Sequence, residues 1–170
     1  HPGYGQTIML TFMSGAGIVL ATAVLESLWR NAHIDELTEL PGRRSMKHHF
    51  SRLGSTFAVA IIDIDHFKKI NDRYGHDTGD QVLKFIASHL RSFEPGKVYR
   101  YGGEEFVVVC EGEKAGEIAD RLETLRKTIH KAKFVLRGLD RPRKKPEHAV
   151  ESTGEKMTIT VTVSIGLATS

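Results

Sequence analysis

The first stretch of the chain, residues 2–25, is mostly apolar and contains no Asp, Glu, Lys or Arg. A helix of this length rises far enough to cross a hydrocarbon layer of about 30 Å. Trp29 and Arg30 follow directly, and an aromatic ring and a cation are typical of a membrane interface. We therefore predict an apolar N-terminal helix over residues 1–30 that spans a membrane with residues 6–28. A linker helix without membrane contact is the alternative.

The remaining residues, 31–170, predict one α+β domain with a mainly antiparallel central sheet flanked by helices. Residues 57–62 are apolar on both faces, which predicts a strand in the middle of that sheet. The other predicted elements are helices over 67–74 and 80–91, strands over 98–101 and 104–109, a helix over 114–131, and strands over 134–136 and 157–165. Counting the last two predicted strands as one, their order is βααββαβ, and it contains no repeat.

A glycine pair, Gly102 and Gly103, separates two of the predicted strands. The pair predicts a tight hairpin turn, because glycine supplies the positive φ that two-residue hairpins require. Glu104 and Glu105 follow the turn, and Asp63 follows the first strand. If the hairpin neighbours that strand, the carboxylates meet at one rim of the sheet. At about 4 Å two carboxylates repel by about 4 kcal/mol at an effective dielectric constant of 20, so this convergence favours a bound cation.

Composition and net charge restrict the possible functions less than the predicted cluster of acids does. The net charge of +3 and the pI near 9.0 are too weakly basic to predict nucleic-acid binding without a patterned patch. Cys110, the one cysteine, lies in an apolar run and is predicted to be buried, which suits a reducing compartment. The basic stretch 137–156 predicts a loop between strands, with contact to anionic lipid as the alternative.

Two long motifs resemble a known family. Residues 101–106 match its GG[DE]EF signature, and residues 63–80 match D-x-D-x-F-K-x-x-N-D-x-x-G-H-x-x-G-D at every fixed position. Residues 35–41 resemble the opening D-x-L-T-G-L-P, and residues 163–166 resemble its late S-I-G strand. From about residue 35 onward the sequence is therefore similar to the GGDEF domain, the diguanylate cyclase family.

This resemblance implies a metal-dependent enzyme that condenses two GTP into cyclic di-GMP and two pyrophosphates. It implies that Asp63, the backbone carbonyl of Ile64 and Glu104 hold Mg²⁺ or Mn²⁺. Oxygen ligands of this kind suit either ion. It further implies that Glu104 or Glu105 helps to deprotonate the attacking 3′-hydroxyl, and that Lys68 stabilises charge on the phosphates. These three side chains are the expected catalytic residues.

The resemblance also implies how GTP is bound. Asn71 and Asp80 are expected to read the guanine edge, since an amide and a carboxylate can pair with its carbonyl and its N–H groups. The full set of expected substrate-binding residues is Phe67, Asn71, His76, Asp80, Gly102 and Gly103. Because the product requires two attacks, a homodimer of catalytic domains is implied. The domain is expected in the cytoplasm, at the inner membrane if residues 6–28 span it and soluble otherwise.

The sequence departs from the family pattern at three places. Glu39 and Gly42 stand where the opening motif has Gly and Asn. Residues 93–96 lack the R-x-x-D motif of product inhibition, so we predict no feedback inhibition there. The chain also ends before the expected last helix, whose Lys and Arg bind phosphates, and we expect a domain truncated at that point. A catalytically silent GTP-binding module and a cyclic di-GMP receptor are therefore the alternatives to an active cyclase.

Overall fold

The computed structural model describes residues 3–112, 114–136 and 158–170, without the side chains of residues 3–11, 14 and 31. The predicted loop over 137–156 lies outside the described residues. The helices are α1 (Gly3–His33), α2 (Arg43–Phe50), α3 (Phe67–Tyr74), α4 (His76–Leu90) and α5 (Ala115–Lys131). The strands are β1 (Phe57–Ile64), β2 (Lys97–Arg100), β3 (Glu105–Glu111), β4 (Lys133–Val135), β5 (Thr158–Thr160) and β6 (Val163–Thr169).

The larger sheet has the strand order β2-β3-β1-β6, and all of its neighbouring strands are antiparallel. The α+β class is therefore confirmed, as is the central position of β1. The hairpin strand β3 lies beside β1, as the site prediction required. β4 and β5 form a separate two-stranded sheet.

One face of β1 belongs to the main core. Ala58, Ala60, Ile62 and Ile64 alternate along the strand and are at most 2% exposed. They pack in one cluster with apolar side chains of α4 and α5, of β3 and of the loop after α4. The members from outside β1 include Val82, Ile86, Leu90, Phe93, Phe106, Val108, Cys110, Ile118 and Ile129. Burial of Cys110 is thereby confirmed, and the core fixes the end of β1 that carries Asp63.

The opposite face of the sheet is covered by α2, a helix that the sequence pattern did not predict. Met46 of α2 packs with Tyr99, Val107 and Val109 in a second, smaller cluster. The helix has only eight residues and is mostly basic, so its short apolar stripe gave no helical signal. Ile61 lies on this face and stays 54% exposed.

Two other predicted boundaries were wrong. Helix α4 begins at His76 and not at residue 80, because Gly75 adopts φ 84° and lets one helix follow another directly. The predicted strand over 157–165 is two strands in different sheets, β5 and β6. The chain leaves the strand pattern at Thr162, whose backbone carbonyl accepts a hydrogen bond from the Asp65 N–H at 3.0 Å.

Helix α1 precedes the domain, and its described large apolar side chains, from Phe12 to Trp29, are exposed. The prediction that residues 6–28 span a membrane is not supported. Within the described part of the chain, no helix combines the length and apolar character that a membrane crossing needs.

The turn that opens the domain joins α1 to α2 and is fixed by Asp35. The Asp35 carboxylate accepts hydrogen bonds from the Thr38 backbone N–H at 2.8 Å and the Thr38 hydroxyl at 2.6 Å. Arg100 donates to the same carboxylate oxygen at 2.8 Å. Burial alone would raise the pKa of Asp35, but these hydrogen bonds outweigh it and lower the pKa below its usual value.

Glu39 occupies the strained position of this turn, with φ 57°. The left-handed conformation favours glycine, the residue that the family motif has here. Arg91 of the segment after α4 compensates in part, since it donates to the Thr38 carbonyl at 2.8 Å and lies 3.4 Å from the Glu39 carboxylate. Both side chains of that ion pair are more than half exposed, so it contributes little.

We expect Glu39→Gly to stabilise the domain by about 0.5–1 kcal/mol, because relief of backbone strain exceeds the added chain entropy of the unfolded state. Chemical denaturation measures this change. Glu36→Gly is the matched control, since Glu36 lies in the same turn without a positive φ and its replacement should not stabilise. Equal effects of the two changes would contradict the strain argument.

Candidate functional site

The antiparallel pairing of β1 and β3 places acidic residues side by side at one end of the sheet. In the register of the two strands Asp63 is opposite Glu105, so both side chains lie on the same face. Glu104 precedes Glu105 in the turn between β2 and β3. The sequence prediction that the hairpin acids reach the rim at Asp63 is supported by this register.

The glycine turn is wider than predicted, and it does not use positive φ. The N–H groups of Tyr101 and Gly102 donate to the Glu105 carbonyl at 2.9 and 3.2 Å, which closes the turn over residues 101–105. Of the described glycines only Gly75 and Gly112 have positive φ. A Cβ on Gly102 would lie 2.8 Å from the Glu105 carboxylate, so the end of that flexible side chain would have to shift. A Cβ on Gly103 would meet nothing within 4 Å.

Glu104 shows the electrostatic consequence of this arrangement. Its pKa is raised above the usual value, first by partial burial and then by the negative charges of Asp63 and Glu105. The folded protein therefore brings three carboxylates within electrostatic reach of one another. Such a cluster is stabilised by a cation, and a carboxylate with a raised pKa is a better proton acceptor.

Asp65 has a structural role that the motif alone does not reveal. Its two carboxylate oxygens accept hydrogen bonds from the hydroxyls of Thr162 and Ser164, each at 2.6 Å. Burial would raise the pKa of Asp65, but these hydrogen bonds outweigh it and lower the pKa. Asp65 therefore ties the loop after β1 to β6. Ile64 is the last residue of β1, directly before this loop, and His66 within the loop adopts φ 57° just before α3 begins.

The corner between α3 and α4 brings together the two predicted guanine readers. A Cβ on Gly79 would lie 1.9 Å from the Asn71 side-chain oxygen and 3.2 Å from Phe67. The Asn71 amide therefore packs against the first turn of α4, directly beside the residue before Asp80. Gly79 is buried, and its missing side chain leaves the space that Asn71 occupies.

Several predicted site residues have side chains that make no polar contact with the rest of the described structure. Within the described ranges, the side chains of Asp63, Lys68, Asn71, Asp80 and Glu104 make no hydrogen bond or ion pair. Lys68, His76 and Asp80 are exposed, whereas Phe67 is only 7% exposed and belongs to the core. The polar members are therefore available to a ligand.

The donor set suits Mg²⁺ or Mn²⁺ bound together with a phosphate ligand. Asp63, Glu104 and the Ile64 carbonyl offer oxygen only, and Mg²⁺ in proteins usually takes one or two carboxylates and completes its shell with water and substrate phosphates. No group of three or more His, Cys, Asp and Glu suited to a metal occurs among the described residues.

A cavity of about 420 Å³ lies beside the glycine turn. Asp35, Arg43, Arg100 and Gly103 line it, whereas Asp63 and Glu104 do not. It therefore shares Gly102 and Gly103 with the predicted substrate-binding residues but is not lined by the predicted metal ligands.

Sequence reasoning missed three residues that shape the site: Asp65, Gly79 and Arg100. The first two are fixed positions of the motif over 63–80, but a motif carries no information about the contacts that its residues make. Arg100 lies just before the signature and carried no signal, because its partners Asp35, Gly102 and Gly103 meet it only in the folded chain.

The family described as diguanylate cyclase, GGDEF domain, matches residues 32–170. The probable diguanylate cyclase DgcI of Escherichia coli is 37% identical over 110 residues, which are 62% of this chain and 24% of that protein. The diguanylate cyclase DgcP of Pseudomonas aeruginosa is 38% identical over 123 residues, which are 67% of this chain and 18% of that protein. The chain thus spans about a quarter or less of these relatives.

A solved structure agrees with the fold. The coiled coil and GGDEF domain of DgcB from Caulobacter crescentus, in complex with c-di-GMP, superposes with a TM-score of 0.75 at 31% identity. The match covers 92% of this chain and 79% of that one. With the motif, the fold and the acidic rim of β1 and β3 in agreement, the chain belongs to the GGDEF domain family of diguanylate cyclases.

Proposed function

We propose that this domain condenses two GTP molecules into cyclic di-GMP and two pyrophosphates. The observation that carries the proposal is the register that sets Asp63 opposite Glu105 with Glu104 next in the chain, where burial and the two charges raise the pKa of Glu104. Three carboxylates near each other, with two of them free of other partners, are costly unless they serve a cationic ligand. The family membership and the motif over residues 63–80 support GTP as the substrate.

The residues divide into two groups. Asp63, Glu104 and the Ile64 carbonyl hold the metal, and bound Mg²⁺ or Mn²⁺ supplies charge that offsets the phosphates and favours the ionised 3′-hydroxyl. The nucleotide-binding group consists of Phe67, Lys68, Asn71, His76, Asp80, Gly102 and Gly103. Asn71 and Asp80 read guanine, and Lys68 lies beside the phosphates. The open space at Gly103 admits the ligand close to the turn.

The chemistry is a substitution at phosphorus carried out twice. The 3′-oxygen of one GTP forms a bond to the α-phosphorus of the other, the bond from that phosphorus to pyrophosphate breaks, and the proton passes to Glu104, with Glu105 beside it. A second attack in the opposite direction closes the ring. Because each domain binds one GTP, the reaction needs two domains that face each other as a homodimer.

We expect Glu104→Gln to lower cyclic di-GMP formation by about a hundredfold or more, the range in which a general base contributes. The same change removes a like charge, so the melting temperature should not fall. Product chromatography with GTP and Mg²⁺ measures the first effect, and thermal unfolding measures the second. Glu111→Gln, at the opposite end of β3, is the matched control and should keep the activity.

Two results would contradict the cyclase proposal. Full activity of the Glu104 variant would remove this residue from the chemistry. A chain that binds GTP with Mg²⁺ and forms no cyclic product as a dimer would favour the catalytically silent GTP-binding module.

We expect Gly79→Ala to raise the KM for GTP by about tenfold, with a smaller effect on kcat. A tenfold change is what the loss of one hydrogen bond to guanine would cause. The new methyl group needs the space of the Asn71 amide. Steady-state kinetics measures both constants. Gly116→Ala on α5 is the control, because a Cβ there meets nothing within 4 Å. An unchanged KM in the Gly79 variant would argue against Asn71 as a guanine reader.

We expect no product inhibition through residues 93–96. Phe93 occupies the position of the motif arginine and is only 7% exposed in the core, while Arg91 donates to the Thr38 carbonyl. A Cβ on Gly96 would lie 2.4 Å from Val108, so the motif carboxylate does not fit either. Initial rates with and without added cyclic di-GMP test this, and tight product binding at this segment would contradict it.

A further inference from the structure

Arg100 connects the turn that opens the domain to the turn that carries Glu104. Its guanidinium donates to the Asp35 carboxylate at 2.8 Å, to the Gly102 carbonyl at 3.2 Å and to the Gly103 carbonyl at 2.9 Å. The side chain is only 14% exposed. One rigid planar group therefore serves three separate acceptors in fixed directions, whereas the three donors of a lysine ammonium rotate and are not held in one plane.

The glycine turn has little else to determine its conformation. Gly102 and Gly103 contribute no side chains, and glycine loses more conformational freedom on folding than other residues. Among the described residues, Arg100 is the one side chain that hydrogen bonds to the backbone of residues 101–104. Without it, only the bonds to the Glu105 carbonyl would close the turn.

The other end of the connection is rigid. Asp35 is oriented by two hydrogen bonds from Thr38, and Thr38 is itself only 3% exposed. The Arg100 backbone N–H also donates to the Pro41 carbonyl at 2.9 Å, so the strand and the opening turn are joined twice. The carboxylate of Asp35 therefore fixes the guanidinium in one orientation.

We propose that Arg100, oriented by Asp35, is a positioning residue that fixes the Gly102–Gly103 backbone and thereby holds Glu104 near Asp63. The catalytic consequence rests on the function proposed above, whereas the structural consequence does not. Arg100 does not touch the reacting atoms in this account. It acts through the backbone that presents Glu104.

The structural part is tested by amide hydrogen exchange at Tyr101, whose N–H closes the turn. We expect Arg100→Lys to accelerate this exchange by about tenfold or more, the change expected when charge-assisted hydrogen bonds to the turn are lost. Arg91→Lys is the matched control, because Arg91 binds the same opening turn at the Thr38 carbonyl but does not reach the glycines. Unchanged exchange in the Arg100 variant, or equal acceleration in both, overturns the proposal.

The catalytic part is tested by steady-state kinetics on the same variants. We expect Arg100→Lys and Asp35→Asn to lower kcat by about tenfold, because each misplaces Glu104, and Arg91→Lys to keep the kcat of the parent. Rapid exchange with an unchanged kcat overturns the positioning role. Full activity of Glu104→Gln would instead refute the proposed function and leave the exchange result intact, so the two failures are distinguishable.

Discussion

The antiparallel register of β1 and β3 is the constraint on which the candidate site depends. It sets Asp63 opposite Glu105 and brings Glu104 into their field, which raises the pKa of Glu104. The register is fixed because Ala60 and Ile62 must face the core, and a slip of one residue would turn the buried side chains of β1 to the other face. Hydrophobic burial thus maintains a repulsive cluster of acids that would separate if the strands were free.

The surrounding loops add polar contacts that burial alone would not provide. Asp65 is bound by hydroxyls of the segment leading into β6, and Arg100 is bound by Asp35 of the opening turn. The pKa values of Asp35 and Asp65 are lowered, whereas the pKa of Glu104 is raised. The direction of the shift separates carboxylates that stabilise the fold from one that is available for chemistry.

Sequence patterns correctly predicted those features that depend on a short stretch of the chain or on a motif. The apolar run 57–62, the acids that follow it and the hairpin acids gave the sheet centre and its acidic rim. Patterns failed where long-range contacts decide the result. Short basic α2 forms because Met46 packs on Tyr99 and Val107, and the strand break at Thr162 follows from its contacts with Asp65. Positive φ was predicted for the glycine turn, whereas neither Gly102 nor Gly103 has it, because the turn is wider and closes on the Glu105 carbonyl.

The most direct test of the account is to locate the metal. Anomalous diffraction from crystals of this domain grown with Mn²⁺ and a non-hydrolysable GTP analogue would show where the ion binds. We expect a peak within coordination distance of Asp63, the Ile64 carbonyl and Glu104, with phosphate oxygens completing the shell. A nucleotide-bound ion placed away from these three groups would contradict the central claim that the β1–β3 register builds the catalytic metal site.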